Sequence, residues 1–425
     1  MEIAFLFGVF FALLFLGTPV GNAMLFSSIA CVGVFGVPAT IVPERMLNGL
    51  NSFTLLAVPF FILAGVIMNR AGLTVRMVTV SKAFVGHFRG GTAHVNVCAN
   101  MVLSGVSGSA SADCAAIGSM LIPTMKKEGY PAGFAAGLTA AASCMGPIIP
   151  PSIVMVIYGA MTNISIGRLF LAGAVPGIMI GIACMCVVAW KARQLGFPKH
   201  ERVPYRERGR VMLLALPALM APVIILGGIL TGAYTATEAG VAACVYGLFV
   251  GVFVYRELKR QDVWPVMKEA VEMTAIPMYL LATGGIFGWL LTIYDFGPLM
   301  VDWMQHFQLT QLQVLFLVAI ILLVAGIVID GLAALLIFVP VFMPLVPAYG
   351  IDEIHLALLI IIMIMIGTIT PPIGLQLYIA SAIAKVSISD MTTWPFVWAM
   401  MGVVTLLILF PPIVTFLPDL VFGAR

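Results

Sequence analysis

Two proline pairs, Pro150-Pro151 and Pro371-Pro372, interrupt long apolar stretches at 133–162 and 354–384. Proline lacks an amide hydrogen and clashes with the turn before it, so a helix broken there leaves carbonyls without partners. In hydrocarbon every such group is costly, and broken backbone persists only where protein buries it or a wet cavity borders it. The carbonyls expected to be freed are those of Gly146, Ile149, Gly367 and Thr370. They are hard oxygen ligands suited to a small cation. Half-helices restarting at Pro151 and Pro372 would aim N-terminal amides at an anion. This is the chemistry of joint ion and anion binding, not of bond-making.

A second polar feature is the segment SGVSGSASAD, Ser104 to Asp113, which sets four serines and an acid among glycines and alanines. Gly/Ser-rich sequence usually makes a flexible linker, but this stretch lies between apolar flanks of membrane length. It is expected to be the tip of a hairpin whose hydroxyls coordinate a cation or bond a carboxylate. Asp330 occupies the matching place in a second hairpin, opposite Ser109; an acid inside a membrane is functional by default. Asp113 has two readings, a site acid or a cap for the helix that follows it. Glu238, after the turn TGAYTATE, likewise reads either as functional or as a helix N-terminal acid.

The elements that position these residues recur. At an offset of 221, Gly105, Ala112, Pro123, Gly129 and Gly146 meet Gly326, Ala333, Pro344, Gly350 and Gly367, and the two Pro-Pro pairs coincide. Earlier, Thr18 meets Thr235 and Pro59 meets Pro277. Each half therefore has the same order. Two spans (3–16 and 20–37; 211–230 and 235–255) precede a third (53–69; 270–290) and an amphipathic stretch (72–88; 291–307). A hairpin (95–126; 311–347), a span broken at Pro-Pro (133–162; 354–384) and a last span (168–190; 394–418) follow. Five crossings per half plus a re-entrant hairpin make ten crossings and two hairpins. Because five is odd, the second half must be inverted. The expected fold is an all-α polytopic membrane protein of two inverted repeats, 1–210 and 211–425. The first divides into scaffold spans 1–69, an arm 70–90, a hairpin and broken-helix part 91–190 and a cytoplasmic loop 191–210. The second divides into scaffold 211–290, an arm 291–308 and a hairpin and broken-helix part 309–425.

Composition agrees. Hydrophobic residues make up 62% of the 425 and charged residues 9%, against roughly 25% charged in soluble domains, and the mean hydropathy is +1.12. With the N-terminus outside, all of the 21 Lys and Arg fall on one side except Arg45, Arg168 and Arg425, the positive-inside pattern. Both termini are then periplasmic. The opening MEIAFLFGVFFALLFLG lacks the basic start and cleavage site of a signal peptide and reads as a retained span. A net charge of +3 gives no reason to invoke nucleic acid, and the seven scattered cysteines form no metal motif. No phosphate-binding glycine loop is present, so uphill transport would draw on an ion gradient. No H-E-x-x-H and no Ser/His/Asp constellation suggests an enzyme, and no ring of charge suggests a channel.

Several motifs together resemble the large membrane subunit, the M-type, of tripartite ATP-independent periplasmic (TRAP) transporters. They are PFFILAG (59–65), VGHFRGGTAHVNV (85–97), SGSASAD (107–113), GSMLIPTMKKEGY (118–130), AASCMGPIIPPSIVMVIYG (141–159), SIGRLFLAGAVPG (165–177), ALPALMAPVIILGGILTG (215–232) and GTITPPIGLQLYIAS (367–381). The resemblance implies an elevator-type carrier of a small organic acid in the bacterial inner membrane, coupled to sodium. It would work with a small Q-type membrane subunit and a periplasmic substrate-binding protein, for which 38–52 and 232–235 are candidate outer docking loops. Carried onto this chain, one sodium site falls at Ser104, Ser107, Gly146, Ile149 and Pro151, and another at Gly326, Gly367 and Thr370. Ser109, Ser111, Asp330, Ser152 and Gln376 are assigned to the substrate. Two departures, Gly331-Leu332 after Asp330 and Gln376 within GLQL, lie beside the pocket and bear on which acid is carried. A stand-alone carrier of the same architecture is the alternative.

Overall fold

The computed structural model describes residues 1–423; Arg425, placed above on the outer side, lies outside them. Among the described residues the chain is helical, with only an isolated bridge between Arg89 and Lys199. The first half comprises α1 (Glu2–Phe15), α2 (Val20–Val34), α3 (Ile41–Leu50), α4 (Ala57–Arg70), α5 (Leu73–Val85), α6 (Gly91–Ser107), α7 (Ala110–Lys127), α8 (Ala132–Ser143), α9 (Ile153–Thr162) and α10 (Ile166–Leu195). The second comprises α11 (Tyr205–Leu230), α12 (Ala236–Phe249), α13 (Val263–Ile293), α14 (Phe296–His306), α15 (Gln311–Val328), α16 (Gly331–Phe342), α17 (Leu345–Tyr349), α18 (Glu353–Gly367), α19 (Leu375–Ala384), α20 (Trp394–Leu409) and α21 (Pro412–Phe422).

Packing is reciprocal between the halves. Helix α4 packs on α12 while α13, its counterpart, packs on α2; α8 packs on α19 while α18 packs on α9. The close approaches use glycine. A Cβ on Gly240 of α12 would lie 2.9 Å from the Phe60 side chain, and one on Gly49 would lie 3.0 Å from the Leu281 carbonyl. Hairpins α6–α7 and α15–α16 stand beside the broken pairs α8–α9 and α18–α19, of which α8 and α18 are almost wholly buried.

Three sequence expectations change, and helix lengths bear on the crossing count. The outer segment 38–52 is not a loop: its core is α3, packed along α13, with the Arg45 guanidinium 4.9 Å from the centre of the Trp289 ring. The last span of the second half bends by 59° between α20 and α21, where Pro411-Pro412 stops the helix. The basic loop 191–210 shrinks to 196–204, because α10 and α11 run on through Lys191, Arg193 and Arg206 to Arg210. Lys and Arg are good helix formers, and a hydropathy window ends a span too early at such residues. Finally, six described helices are long and apolar enough to cross a bilayer, seven if the bent pair counts as one. Helices α1 and α2, of 14 and 15 residues, are about 21–23 Å long, short of a hydrocarbon core of roughly 30 Å.

Glu238 is resolved as structural. Thr235 caps α12 by accepting from the Glu238 amide, and the Glu238 carboxylate accepts from the Thr235 amide at 2.7 Å, a reciprocal capping box.

Candidate functional site

A cavity of about 670 Å³ opens between the two hairpin tips on one side and α4 and α13 on the other. Ser107, Ser109, Ser111 and Asp113 enter it from the first hairpin, Asp330 and Gly331 from the second, and Thr368 and Gln376 from the second broken helix. Ile62, Val66, Met273 and Pro277 supply an apolar wall opposite. Asn69, Thr74 and Glu269 complete the lining; Asn69 is exposed and Glu269, paired to Arg70 at 2.9 Å, half-exposed, which marks the open side. Among the described residues that line it there is no Lys or Arg.

Local backbone rules place the tip residues. Helix α6 ends at Gly108, held at φ +60°, a conformation glycine adopts without a Cβ penalty. A Cβ there would also lie 2.9 Å from the Pro151 carbonyl oxygen, so the tip turns against the first helix break. Ser109 then caps α7, its hydroxyl accepting from the Ala112 amide. In the second hairpin Asp330 is the equivalent cap, its carboxylate accepting from the Leu332 amide at 3.1 Å. The repeat thus puts Ser109 and Asp330 at matching turns.

Asp113 is not the cap of its helix. It is fully buried, neither carboxylate oxygen accepts a hydrogen bond, and its polar neighbours are Ser104 and Ser107. Gly146 of the first break packs directly upon it: a Cβ there would lie 2.8 Å from Asp113 Oδ2 and 2.9 Å from the Ser109 carbonyl carbon. A carboxyl buried in this way is stable either protonated or beside a positive partner. The carbonyls of Gly146 and Ile149 accept no hydrogen bond among the described residues. Ser104 donates its own hydroxyl to the Asn100 carbonyl at 2.6 Å, and the Ser107 oxygen accepts from the Ser109 amide at 3.4 Å. Ser104, Ser107, Gly146 and Asp113 therefore gather where the hairpin tip meets the break. Of the acids, sequence reasoning left this one open; the signal was its place within one turn of Ser109, too near the helix start to separate cap from ligand.

Around the second break, Gly326 and Gly367 bring two backbones together. A Cβ on Gly367 would lie 2.6 Å from Gly326 Cα. The Gly326 and Thr370 carbonyls accept no hydrogen bond among the described residues, whereas Gly367, expected to be free, accepts from the Thr370 amide at 3.0 Å. That tight turn uses one of its two lone pairs. The Thr370 hydroxyl donates to the Ile366 carbonyl at 2.8 Å.

The half-helices start later than the prolines suggest. Both Pro-Pro bonds are cis, and α9 begins at Ile153 and α19 at Leu375. Ser152 is not in the cavity wall. It is buried, donates to the Pro147 carbonyl at 2.6 Å and accepts from the Met155 amide at 3.2 Å, so it caps α9. Pro151 and Ile149 also stand behind the wall, the latter against Gly177 of α10. Gln376, by contrast, reaches across the repeats: its Nε2 donates to the Ser111 hydroxyl at 3.2 Å, while its buried Oε1 has no donor. Helix α19 is held at its other end by Lys126, whose ammonium donates to the Ala384 carbonyl at 2.9 Å.

Residues 7–413 match the family described as tripartite ATP-independent periplasmic transporter, DctM component. The chain is 37% identical over 414 residues to the sialic acid TRAP transporter large permease SiaM of Vibrio cholerae, covering 97% of each. It is 38% identical to the 2,3-diketo-L-gulonate TRAP transporter large permease YiaN of Escherichia coli, covering 96% of this chain and 95% of that one. Identity to the C4-dicarboxylate TRAP transporter large permease DctM of Pseudomonas aeruginosa is 39%, over 86% of this chain and 84% of the other. In fold it is similar to the solved structure of MtrF from Neisseria gonorrhoeae, with a TM-score of 0.61 at 14% identity, over 91% of this chain and 84% of that one.

Proposed function

We propose, since this chain belongs to the DctM-component family of tripartite ATP-independent periplasmic transporters, that it takes up a small organic acid across the bacterial inner membrane on a sodium gradient. It is a multi-pass membrane transport protein, a TRAP large permease, and not an enzyme. The relatives named for sialic acid, diketogulonate and C4-dicarboxylates share the carboxylate, which sets the substrate class.

One observation carries the coupling to a cation: the anion's cavity is walled by Asp113, Asp330 and Glu269, with no basic side chain among the residues that line it. Glu269 already has Arg70. The two tip acids need another source of positive charge before a carboxylate can enter between them. Sodium at Asp113, Ser104, Ser107, Gly146 and Ile149, and at Gly326, Gly367 and Thr370, supplies it through hard oxygen ligands. Pro151 contributes by holding the first break open. Ser109, Ser111 and Gln376 then offer hydroxyls and an amide to the acid, beside Asp330.

The two walls of the cavity support reading the chain as an elevator. Scaffold helices α4 and α13 form one wall, and the hairpins and broken helices form the other. In the inverted-repeat topology, with the basic loops inside, the mouth at Asn69 and Glu269 faces the cytoplasm. The chain is then in its inward-open state. The Q-type subunit would brace the scaffold, and the periplasmic binding protein would dock at α3 and the 232–235 turn. One net charge crossing 100 mV supplies roughly 2.3 kcal/mol, about 40- to 50-fold accumulation at ~1.4 kcal/mol per factor of ten.

Uptake of a panel of labelled organic acids into proteoliposomes holding this chain and its Q-type partner tests these assignments. Each acid is run with and without an inward sodium gradient and with and without the cognate binding protein. Uptake requiring both is the expected result. Uptake needing sodium alone identifies a stand-alone carrier, and uptake indifferent to sodium removes the cation sites.

A further inference from the structure

One face of α6 carries a polar residue every fourth position: Thr92, Asn96, Asn100 and Ser104. In an α-helix this spacing stacks side chains along one face, here over about 18 Å. All four are buried inside the first hairpin, away from the cavity. They connect. Ser104 donates to the Asn100 carbonyl, and Asn100 Nδ2 donates to Asn96 Oδ1 at 2.9 Å. Asn96 Nδ2 donates to the Thr139 hydroxyl of α8 at 2.7 Å. At the base the Thr92 hydroxyl donates to Glu128 Oε2 at 2.5 Å, with His200 Nε2 3.3 Å from the same hydroxyl. At the tip Ser104 neighbours Asp113.

Helix packing alone does not call for this arrangement, because a hairpin buried among apolar helices packs as well with alanine or leucine along that face. Nor is the stripe fully satisfied. Asn100 Oδ1 is buried and accepts no hydrogen bond, one turn behind Ser104, the neighbour of Asp113. An oxygen held free in the interior is costly, and a cation passing with its water would complete it.

We propose that the inside of the first hairpin is a cation path, separate from the substrate cavity, along which sodium released near Asp113 reaches the cytoplasm. Asn100 Oδ1 is its first station. Asn96 and Thr139 provide the next oxygens, and the Thr92–Glu128 pair forms the exit on the basic side. The path rests on sodium binding at Asp113 and on the inward placing of the hairpin base. It means that substrate and cation leave the inward state by different routes.

The test separates release of sodium from transport as such. In proteoliposomes with the Q-type partner, Asn100→Leu keeps the side chain's size and removes its oxygen, and Thr139→Val does the same one turn on. Two rates are compared: net sodium-driven uptake, which requires sodium to be released inside, and substrate exchange with saturating sodium on both sides, which does not. Expected is a tenfold or greater loss of net uptake in Asn100→Leu, a smaller loss in Thr139→Val, and wild-type exchange in both. Asn100→Ser, which restores an oxygen, recovers part of the net rate. Net uptake unchanged in the Leu and Val variants would overturn the path, and so would equal loss of uptake and exchange, which marks a structural role. Wild-type uptake indifferent to sodium would overturn the underlying coupling as well, and is distinguished by appearing before any substitution is made.

Discussion

The first hairpin turns from α6 to α7 through Gly108 at positive φ and the hydroxyl cap Ser109. The second turns from α15 to α16 through Ile329 in extended backbone and the carboxylate cap Asp330. Around the first tip stand Ser104, Ser107, Ser111 and the buried Asp113; at the equivalent places of the second stand the apolar Ala325, Val328, Leu332 and Ala334. The breaks differ in the same sense. Gly146 approaches an acid, whereas Gly367 approaches bare backbone at Gly326. Two copies of one topology thus offer the proposed cations different oxygens, side-chain carboxylate and hydroxyls at the first break and carbonyls at the second. The carboxylate of the first has the Ser104 and Ser107 hydroxyls as neighbours, while that of the second is tied to its own helix.

The contrast between the acids predicts the largest effect. Asp113→Asn should raise the half-saturating sodium concentration by roughly 10- to 100-fold, matching about 1.5–3 kcal/mol for an interaction with a charged group, without lowering the melting temperature in sodium-free buffer. Asp330→Ala should abolish uptake and also destabilise the protein by about 1 kcal/mol, the usual value of an N-cap. Ser109→Ala, at the matching turn, should show a similar cap loss. Sodium titrations of uptake and thermal melts read both quantities. A fall in melting temperature for Asp113→Asn equal to that for Asp330→Ala would erase the distinction drawn here.

Next in size are the glycines. In Gly367→Ala the new methyl meets the Gly326 backbone at 2.6 Å, and backbone cannot rotate aside. A loss of about 1–3 kcal/mol is expected for such overpacking, with poor recovery of folded protein. Gly146→Ala meets an Asp113 oxygen at 2.8 Å and should lower sodium affinity more than yield. Size-exclusion profiles together with sodium titration compare the two, and reversed rankings would mean that the breaks do not divide their roles in this way.

The smallest effect concerns the link between the halves. Gln376 donates to Ser111 across the repeats. A double-mutant cycle of Gln376→Leu and Ser111→Ala on substrate affinity should show a coupling of about 0.5–1.5 kcal/mol, the net value of one hydrogen bond. Additive losses would show that each residue meets the substrate independently.

The sequence by itself determined that the chain is helical and membrane-borne, that it is built twice over, and where it breaks. Those properties follow from local causes: apolar runs too long for water, proline without an amide, and a Pro-Pro pair repeated at one offset. Ser109, Ser111, Asp330 and Gln376, named from the hairpin tips and the family resemblance, all line the one cavity described. Only the tertiary structure decided which polar group was a cap and which was left free. Ser152 and Asp113 each lie near a helix start, and a single chain position does not reveal whether an amide or an ion will take the oxygen. The local turn at the break put Pro147 and Met155 within reach of Ser152, and packing put Gly146, whose amide already bonds Ser143, over Asp113. Tertiary structure likewise turned 41–50 into a helix, because Gly49 fits against Gly285 and Arg45 finds the face of Trp289. Partners more than two hundred residues away supply those interactions, and no local pattern records them.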